Sequence, residues 1–493
     1  MQKSIFLCTH CEAQYPKWQG QCNECGQWGT ITQEMHNTAA SVQTSVRPQK
    51  LLRLEDNVEE KRITTDLKEC DRVLGGGIIP GSLILLGGDP GVGKSTLALQ
   101  IALSVARGGA SVLYVSGEES ASQIGLRLKR LAITHKKIHH DQRQETYLHA
   151  TQTLSERQEL SAKKASFQNL GFLGETCVES IIETLKHEKP TLVIVDSVQT
   201  LVGLSVAQEA GGITQIKACT TKLLEAAKKY NVAIILIGHV TKEGFVAGPK
   251  SLEHLVDVVL YLEGENTFAY RLLRSVKNRF GATNEVGVFD MSEHGLVEVA
   301  NPSEFFLSEH HIHAPGSVIT GILEGSRAFL VEVQALVTKT VFGYPQRKGS
   351  GFDVNRLQLL LAVLQERARI NFQMYDVHVN IVGGLKIKDP SADLAVCLAV
   401  ASALQKQPLD PKLVALGEVG LSGEIRKVVK LAERLKEAER MELTTVVMPK
   451  MKLRARTSLI VREVTHISEA IVLIQGESFP ARQKVFVQVK DSA

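Results

Sequence analysis

The residues with the most definite chemistry form one glycine-rich segment, which reads GDPGVGKS from Gly88 to Ser95. It matches the phosphate-binding pattern G-x-x-x-x-G-K-[ST] at every position. Glycines let backbone N–H groups turn inward around phosphate oxygens, because a Cβ atom there would clash. In this pattern the lysine reaches the β- and γ-phosphates and the serine holds Mg²⁺. The segment predicts a site for ATP and Mg²⁺ formed by Gly88, Asp89, Pro90, Gly91, Val92, Gly93, Lys94, Ser95 and Thr96.

The stretches on either side of this loop supply the context that the pattern requires. The apolar run 82–86 predicts a buried strand, and residues 96–102 predict the opening of a helix. This order places a helix N-terminus, with its partial positive charge, against the phosphates. Because the pattern and both flanks agree, we interpret the segment as a nucleotide site rather than a chance glycine-rich turn.

Two further predicted strands end in acidic residues that can complete such a site. The strand 111–115 leads to Glu118 and Glu119, and a carboxylate at this position can polarise the attacking water. The pair could instead serve the N-terminus of the following helix. We favour catalysis by Glu118, with Glu119 as its partner. The strand 191–195 ends at Asp196, which has the Walker B form and would reach the Mg²⁺ shell through water.

Two later positions could act on the γ-phosphate. His239 follows the apolar strand 232–237 and could sense the γ-phosphate or the attacking water, but a structural role is equally compatible with the sequence. Lys277 and Arg279 stand at i and i+2 of a predicted strand, so their side chains point to the same side. Such a pair can reach a neighbouring subunit's γ-phosphate as an arginine finger, or simply form a solvated basic strand.

Four of the eight cysteines lie before residue 26, as two C-x-x-C pairs separated by ten residues. Two such pairs can complete a tetrahedral sulfur site, for which Zn²⁺ is the expected metal. Two disulfides or a redox motif are less favoured alternatives. The expected zinc ligands are Cys8, Cys11, Cys22 and Cys25. We expect Tyr15, Trp18 and Trp28 to form the small core of this module rather than a platform for stacking bases.

Composition bounds the class of protein. The chain has 493 residues, which suits about three domains. A net charge of +4 neither requires nor excludes nucleic acid as a partner. No apolar run approaches the ~18 residues that span a bilayer, and the N-terminus shows no signal pattern. We therefore expect a cytoplasmic protein with no membrane partner. The other cysteines are expected to be reduced and buried or inert: Cys70, Cys177, Cys219 and Cys397.

The stretch 134–170 is rich in His, Gln, Lys and Glu and has few large apolar residues. We expect a solvated helical insertion there. A metal site on His135, His139 and His140 is the less favoured alternative.

With these motifs the chain resembles the bacterial RadA (Sms) family of DNA-repair proteins over nearly its whole length. The resemblance rests on the four-cysteine module, the loop 88–95, Asp196 and the signature Lys-Asn-Arg-Phe-Gly at 277–281. The central domain is similar to RecA, and Lys277-x-Arg279 resembles the finger of DnaB-type hexameric helicases. The resemblance implies a DNA-dependent ATPase that acts on recombination intermediates.

The resemblance also implies partners and a mode of action. It implies a homohexameric ring that moves along single-stranded DNA and promotes branch migration of joints made by RecA. Single-stranded and branched DNA and RecA are the partners that follow. The family further suggests that the four-cysteine module aids contact with a partner such as RecA.

The last third of the chain, about 300–480, resembles the proteolytic domain of Lon. The segment 388–393 resembles Lon's serine-bearing segment and places Ser391 where Lon has its nucleophile. Lon also needs a lysine to accept the serine proton. The matched position is Ala432, and Lys430 lies two residues away, on the wrong side of a helix to substitute.

An unactivated serine is a poor nucleophile, so we expect this region to be a scaffold without protease activity. Such a domain can still form contacts in a ring and present basic residues to DNA, for example Arg426, Lys427 and Lys430. Two other functions compete with the DNA-stimulated motor. An ATP-dependent protease is disfavoured by the missing lysine, and a RecA-fold signalling ATPase by the cysteine module and the 277–281 signature.

The expected fold class is α/β, with a RecA-like P-loop ATPase core between a zinc module and a Lon-protease-like α+β domain. The expected divisions are a Cys₄ zinc module at 1–30, a polar linker at 31–60, the ATPase domain at 61–299 and the Lon-like domain at 300–493.

Overall fold

The structure is a computed structural model, and it forms two compact units, Met1–Glu59 and Glu60–Ala493. The described residues are 4–9, 14–15, 17–35, 61–138, 168–206, 209–238, 252–264, 270–307, 314–341, 343–451 and 457–475. Four residues for which we predicted roles lie outside them: Cys11, His139, His140 and His239. Most of the predicted insertion, residues 139–167, also lies outside.

The first unit contains a small antiparallel sheet with strand order β2-β1-β3. Its strands are β1 (Ser4–Cys8), β2 (Gln14–Tyr15) and β3 (Ile31–Met35). Its buried core consists of Cys8, Cys22 and Ile31, with Phe6, Tyr15 and Cys25 packed against it.

The predicted aromatic core of this unit is correct for Tyr15 and wrong for the two tryptophans. Trp18 is 63% exposed and Trp28 is 73% exposed. The cysteine sulfurs already fill the interior of this small sheet, so the large indole rings lie outside it. Trp28 instead packs over Gly20. A Cβ atom placed on Gly20 would lie 3.5 Å from the Trp28 ring.

The second unit begins with a nine-stranded mixed sheet, in the order β12-β11-β10-β9-β4-β8-β7-β5-β6. The strands from β9 to β6 in this order run parallel, and β9 to β12 continue the sheet as antiparallel neighbours. The strands are β4 (Leu83–Gly88), β5 (Val112–Ser116), β6 (Leu170–Leu173), β7 (Leu192–Asp196), β8 (Ala233–Ile237), β9 (Val258–Glu263), β10 (Tyr270–Asn278), β11 (Val286–Ser292) and β12 (Gly295–Glu298).

Helices cover both faces of the parallel part, which explains why its strands are continuous apolar runs. Along β4, Ile84 and Leu86 belong to one core cluster, and Leu83 and Leu85 belong to the cluster on the other face. The helices are α1 (Lys68–Leu74), α2 (Lys94–Arg107), α3 (Ala121–Ile138), α4 (Val178–Glu188) and α5 (Ile213–Tyr230). The strands predicted at 82–86, 111–115, 191–195 and 232–237 are confirmed as β4, β5, β7 and β8.

A seven-stranded sheet follows, in the order β15-β16-β14-β13-β17-β20-β21, and β18 and β19 form a separate pair. The strands of the sheet and of the pair are β13 (Ser317–Glu324), β14 (Arg327–Lys339), β15 (Arg347–Ser350), β16 (Tyr375–Ile381), β17 (Leu413–Ala415), β18 (Glu418–Val419), β19 (Ile425–Arg426), β20 (Thr445–Pro449) and β21 (Ile460–Val464). The helices of this part are α6 (Pro302–Leu307), α7 (Val354–Ala368), α8 (Asp393–Gln405), α9 (Leu431–Arg440) and α10 (Ile467–Val472).

The two large sheets share buried apolar residues. Tyr270 and Val288 of the first sheet belong to the same core cluster as Val331 of the second. The tip of the β13–β14 hairpin adds two ion pairs to the first sheet's side, Glu324 with Arg274 at 2.6 Å and Arg327 with Glu69 at 2.8 Å. The division predicted after residue 299 falls between β12 and α6, and it stays a prediction. Among the described residues, no helix combines the length and apolar character needed to cross a membrane.

Candidate nucleotide-binding site

The glycine-rich loop connects the carboxyl end of β4 to the start of α2, as the sequence pattern predicts. Gly91 and Gly93 have φ angles of +76° and +109°, which residues other than glycine rarely adopt. A Cβ on Gly93 would also lie 2.5 Å from the Met291 Cε atom of β11, and one on Gly88 would collide with the Leu262 carbonyl of β9. The loop needs its glycines for both backbone conformation and space.

Lys94 is the cation of this loop and is 4% exposed. Its Nζ donates to the carbonyl oxygens of Gly88 and Asp89, both at 2.9 Å. Burial lowers the pKa of Lys94, and the nearby carboxylates of Asp196, Asp89 and Glu118 oppose that shift. Both contacts are to carbonyls of the loop itself, which a phosphate oxygen can replace.

Asp196 ends β7 beside Ser116, its parallel neighbour at the end of β5. The aspartate is 6% exposed, and its Oδ2 accepts a hydrogen bond of 2.7 Å from the Tyr114 hydroxyl. Burial raises the pKa of Tyr114, and the charge of Asp196 adds to the shift. Tyr114 therefore stays protonated as a donor and fixes one oxygen of the Walker B carboxylate.

The two adjacent glutamates differ in their contacts. Glu118 Oε1 accepts from the Ser197 hydroxyl at 2.6 Å, next to Asp196. Glu119 instead forms an ion pair with Arg127 of α3, with a closest distance of 2.7 Å. The Arg127 guanidinium occupies both oxygens of Glu119, whereas Glu118 has a neutral partner. The geometry thus separates a candidate base, Glu118, from a carboxylate that anchors α3.

Lys277 and Arg279 lie far from the P-loop of their own chain. Lys277 Nζ donates to the carbonyls of Glu253 and Val256, at 2.7 and 2.8 Å. Arg279 lies just beyond the end of β10, is exposed, and forms a 3.1 Å ion pair with the buried Asp257.

The strand register gives the separation of these cations from the loop. Asn278 pairs with Val258, which pairs with Ile84 of β4, whereas the loop begins at Gly88. Four residues of strand correspond to about 13 Å at ~3.3 Å per residue. The fold brings Lys94, Asp196 and Glu118 together, and leaves Lys277 and Arg279 at the opposite end of β4.

A cavity of about 370 Å³ adjoins the loop, between the two large sheets. Gly88 and Asp89 form part of its wall, and Arg274 and Glu324 contribute a charged pair. The second sheet therefore contributes residues to the space beside the nucleotide loop.

In the first unit, the sulfur atoms of Cys8, Cys22 and Cys25 lie within 4.8 Å of one another. The Sγ atoms of Cys8 and Cys25 are 3.7 Å apart. In a tetrahedral zinc site with Zn–S bonds of ~2.3 Å, sulfur atoms are separated by about 3.8 Å. The three described cysteines thus fit a thiolate metal site, and Cys11, the fourth predicted ligand, lies outside the described residues.

Ser391 is fully buried in the Lon-like region. Its hydroxyl donates to the Gly321 carbonyl at 3.1 Å and accepts from Arg434 Nη1 at 2.7 Å. Arg434 is also fully buried and forms a 2.6 Å ion pair with Asp389. A guanidinium is always protonated in proteins, so it cannot accept the serine proton.

Two of the polar partners in these sites were missed by the sequence analysis. Arg434 carries a signal in hindsight, because it shares the buried face of α9 with Leu431, Leu435 and Ala438. A charged residue at an apolar position of an amphipathic helix indicates a buried partner. Tyr114 carries no such signal, since a tyrosine in a buried strand is usual.

Two family models match the chain. One, described as an AAA domain, matches residues 47–244, and the other, described as the Lon protease (S16) C-terminal proteolytic domain, matches residues 362–468.

Curated relatives match almost the whole chain. A DNA repair protein RadA of Bacillus subtilis is 41% identical over 481 residues, covering 95% of this chain and 98% of the relative. The proteins of the same name from Streptococcus pyogenes serotype M1 and Listeria monocytogenes are 43% and 40% identical. They cover 92% and 90% of this chain, and 94% and 92% of their own lengths.

Solved structures match about half of the chain. The RadB recombinase is 24% identical, with a TM-score of 0.36, covering 48% of this chain and 99% of the recombinase. A second solved structure, an isolated ATPase domain, is 16% identical, with a TM-score of 0.40, covering 50% of this chain and 95% of that domain.

Proposed function

The chain belongs to the RadA family of DNA repair proteins, and on that premise we propose that it is a DNA-stimulated ATPase working as a hexameric ring. The family makes it an ATP-hydrolysing protein of DNA repair and recombination. In the proposal, ATP hydrolysis moves the ring along single-stranded DNA and promotes branch migration of joints made by RecA. The site of action would be the cytoplasm.

The observation that carries the ring proposal is the position of Lys277 and Arg279. They lie about four strand residues from their own P-loop, at the opposite end of β4. A cation at that distance cannot reach the γ-phosphate bound by the same chain. A neighbouring copy can place the exposed Arg279 against it, and an arginine finger supplied in this way stabilises the charge of the transition state.

Within one subunit, the residues near the loop divide the work of hydrolysis. We assign Lys94 to the β- and γ-phosphates. On nucleotide binding, phosphate oxygens would replace the two loop carbonyls as acceptors of its ammonium group. Ser95 and Asp196 would hold Mg²⁺, which neutralises charge between the phosphates when bound. Glu118 would orient the attacking water, because its only described side-chain partner is the uncharged Ser197.

The Lon-like region serves as a scaffold in this proposal. Ser391 is buried, and its hydroxyl is engaged by Arg434 and Gly321, so neither access nor a proton acceptor supports peptide cleavage. Of the basic residues proposed for DNA, Arg426 is paired with Glu424 at 2.5 Å. Lys427 and Lys430 are exposed and remain the better candidates for contact with phosphates.

The four-cysteine module would hold one Zn²⁺ and aid contact with RecA. Its three described sulfur atoms have the spacing of a thiolate site. Metal analysis of freshly purified, reduced protein should give one Zn²⁺ per chain. Protein without zinc would contradict the site, and replacement of Cys22 by alanine should impair recombination more than basal hydrolysis.

The proposed function is tested by ATP turnover with and without single-stranded DNA, beside a casein digestion assay. We expect DNA to raise turnover several-fold and casein to stay intact. Turnover that does not respond to any single-stranded or branched DNA would contradict a DNA motor. Casein cleavage that is lost in Ser391→Ala would instead support the protease alternative.

A further inference from the structure

Arg271 is a buried cation in the nucleotide-binding half of the second unit that none of the roles above uses. It lies on β10, two strands from the P-loop strand β4 in the sheet order, and is 5% exposed. Its Nε donates a 3.1 Å hydrogen bond to the carbonyl of Val92, inside the P-loop. Its Nη1 donates to the carbonyl of Tyr270 at 2.8 Å.

Gly264, at the end of β9, makes this reach possible. A Cβ on Gly264 would collide with Arg271 Cδ and would lie 3.0 Å from its Nε. The guanidinium therefore passes over a position without a side chain to arrive at the loop. The cation and the gap that admits it therefore lie on the antiparallel pair formed by β9 and β10.

The contact holds a buried charged group against a carbonyl of the loop. Burial lowers the pKa of Arg271, and the carboxylate of Asp290 opposes that shift. A buried guanidinium is tolerated only where its hydrogen bonds offset the lost hydration. Here the Val92 carbonyl of the loop accepts one of those hydrogen bonds.

The Val92 carbonyl belongs to the same planar peptide unit as the Gly93 N–H. In a trans peptide these two groups point in opposite directions. Holding the carbonyl on the outer side of the loop therefore turns the Gly93 N–H toward the inner side, where phosphate oxygens bind. A charged donor on the carbonyl also polarises the peptide unit and makes its N–H a stronger donor.

We propose that Arg271 is a positioning residue that sets the phosphate-binding conformation of the P-loop through the Val92–Gly93 peptide. The inference rests on the proposed function, because it requires that the loop binds a nucleoside triphosphate or diphosphate. Arg271 does not touch the phosphates. It strengthens the affinity for the phosphate chain by keeping one backbone N–H directed at it.

The test measures equilibrium binding of MgADP and of magnesium tripolyphosphate, by competition with a fluorescent ADP analogue. In Arg271→Met we expect both dissociation constants to rise by the same factor, about 10- to 100-fold. This factor corresponds to the usual free-energy contribution of a hydrogen bond from a charged group. Arg271→Lys keeps the charge but loses the planar fork, so it should fall between wild type and Arg271→Met. At saturating ATP, kcat should stay within about threefold of wild type, because the charges at the γ-phosphate are untouched.

Arg434→Lys is the matched control. Arg434 is a fully buried arginine with carbonyl contacts, but it lies in the Lon-like region. Its replacement should lower the unfolding temperature and leave both dissociation constants within about twofold of wild type. If Arg271→Met fails to fold, Arg271→Lys and Gly264→Ala decide the matter, since the added Cβ of Gly264→Ala displaces the same guanidinium.

Unchanged binding of both probes in folded Arg271 variants would overturn the proposal. So would weaker MgADP binding with unchanged tripolyphosphate binding, which would place Arg271 beside the nucleoside instead. An equal loss of affinity in Arg434→Lys would show a general effect of destabilisation and would overturn it too. Wild-type protein that binds neither probe would contradict the nucleotide site itself, which is a separate failure.

Discussion

The P-loop and the Ser391 segment both place a hydroxyl near the start of a helix beside a buried cation, yet they leave that cation in opposite states. Lys94 donates to two carbonyls of its own loop, and phosphate oxygens can replace both. Arg434 is fully buried and donates to Gly321, Ser391, Asp389 and Val429, all of them groups of the protein itself.

The comparison shows what separates a reactive centre from a polar core network. Both regions contain charged and hydroxyl groups, so these groups by themselves do not make a reactive centre. The P-loop keeps donors that a ligand can take over, beside a cavity of about 370 Å³. The Ser391 network has used its donors on itself, so it contributes rigidity rather than chemistry.

Removal of the P-loop cation should have the largest effect. We expect Lys94→Ala to reduce kcat by at least ~10²–10³-fold, the loss typical for one charge-stabilising donor. The fold should be retained, because the described hydrogen bonds of Lys94 Nζ go to two loop carbonyls rather than to a carboxylate. ATP turnover and circular dichroism of the purified variant check both points, and normal turnover in a folded variant would remove the P-loop assignment.

The two adjacent glutamates sharpen the comparison inside the nucleotide site. Glu118→Gln should reduce kcat by about 10²–10⁴-fold if Glu118 orients the water. Glu119→Gln, the matched control, should reduce it by less than about tenfold, because it only weakens the pair with Arg127. Single-turnover hydrolysis measures the two variants directly. A larger loss in Glu119→Gln would exchange the two roles, and equal losses would contradict the assignment of the base to Glu118 alone.

The Ser391 network should respond in stability rather than in activity. Arg434→Met leaves Asp389 without its buried partner, and a broken buried pair costs about 3–5 kcal/mol. Although burial opposes it, Arg434 lowers the pKa of Asp389, so part of the loss should disappear in acid where Asp389 is protonated.

The pH dependence follows from the sign of that shift. A carboxyl whose pKa is lowered on folding stabilises the protein above its unfolded pKa, and this contribution is lost as the pH falls through the folded value. Denaturant unfolding at neutral and acidic pH checks it. The matched variant Ser391→Ala should cost only about 1 kcal/mol and be silent in repair assays. Full stability of Arg434→Met would contradict the account of this network.

The sequence was sufficient for features encoded by contiguous residues. The loop 88–95 and the strands that became β4 and β7 were predicted because pattern and flanks are adjacent in the chain. The α/β fold class is confirmed for the same reason. Local spacing also placed Asp196 at the end of its strand.

What the sequence missed depends on residues that meet only after folding. Glu118 and Glu119 are neighbours in the chain, but their partners Ser197 and Arg127 lie 79 and eight residues away. The exposed Trp18 was predicted to be buried, because hydrophobicity favours the interior and the sequence does not show that cysteine sulfurs fill it. Arg271 reaches Val92 across 179 residues.

Mixed rings test most directly the proposed action of Arg279 on the nucleotide of a neighbouring subunit. An Arg279→Ala subunit keeps an intact P-loop, and a Lys94→Ala subunit keeps an intact finger. Each mutant alone should be inactive while still forming rings in sedimentation. Co-expressed mixtures contain interfaces in which both parts are whole.

We predict that hydrolysis on single-stranded DNA partly returns in these mixed rings. An arginine finger contributes roughly 10³ to 10⁵ in rate, so even partial rescue stands well above the background of either mutant. As a control, a subunit that carries both substitutions is mixed with the Lys94→Ala subunit. These rings contain no intact P-loop, so hydrolysis should stay at background. If no mixing ratio restores turnover although mixed rings form, or if Arg279→Ala alone hydrolyses ATP normally, the claim is contradicted.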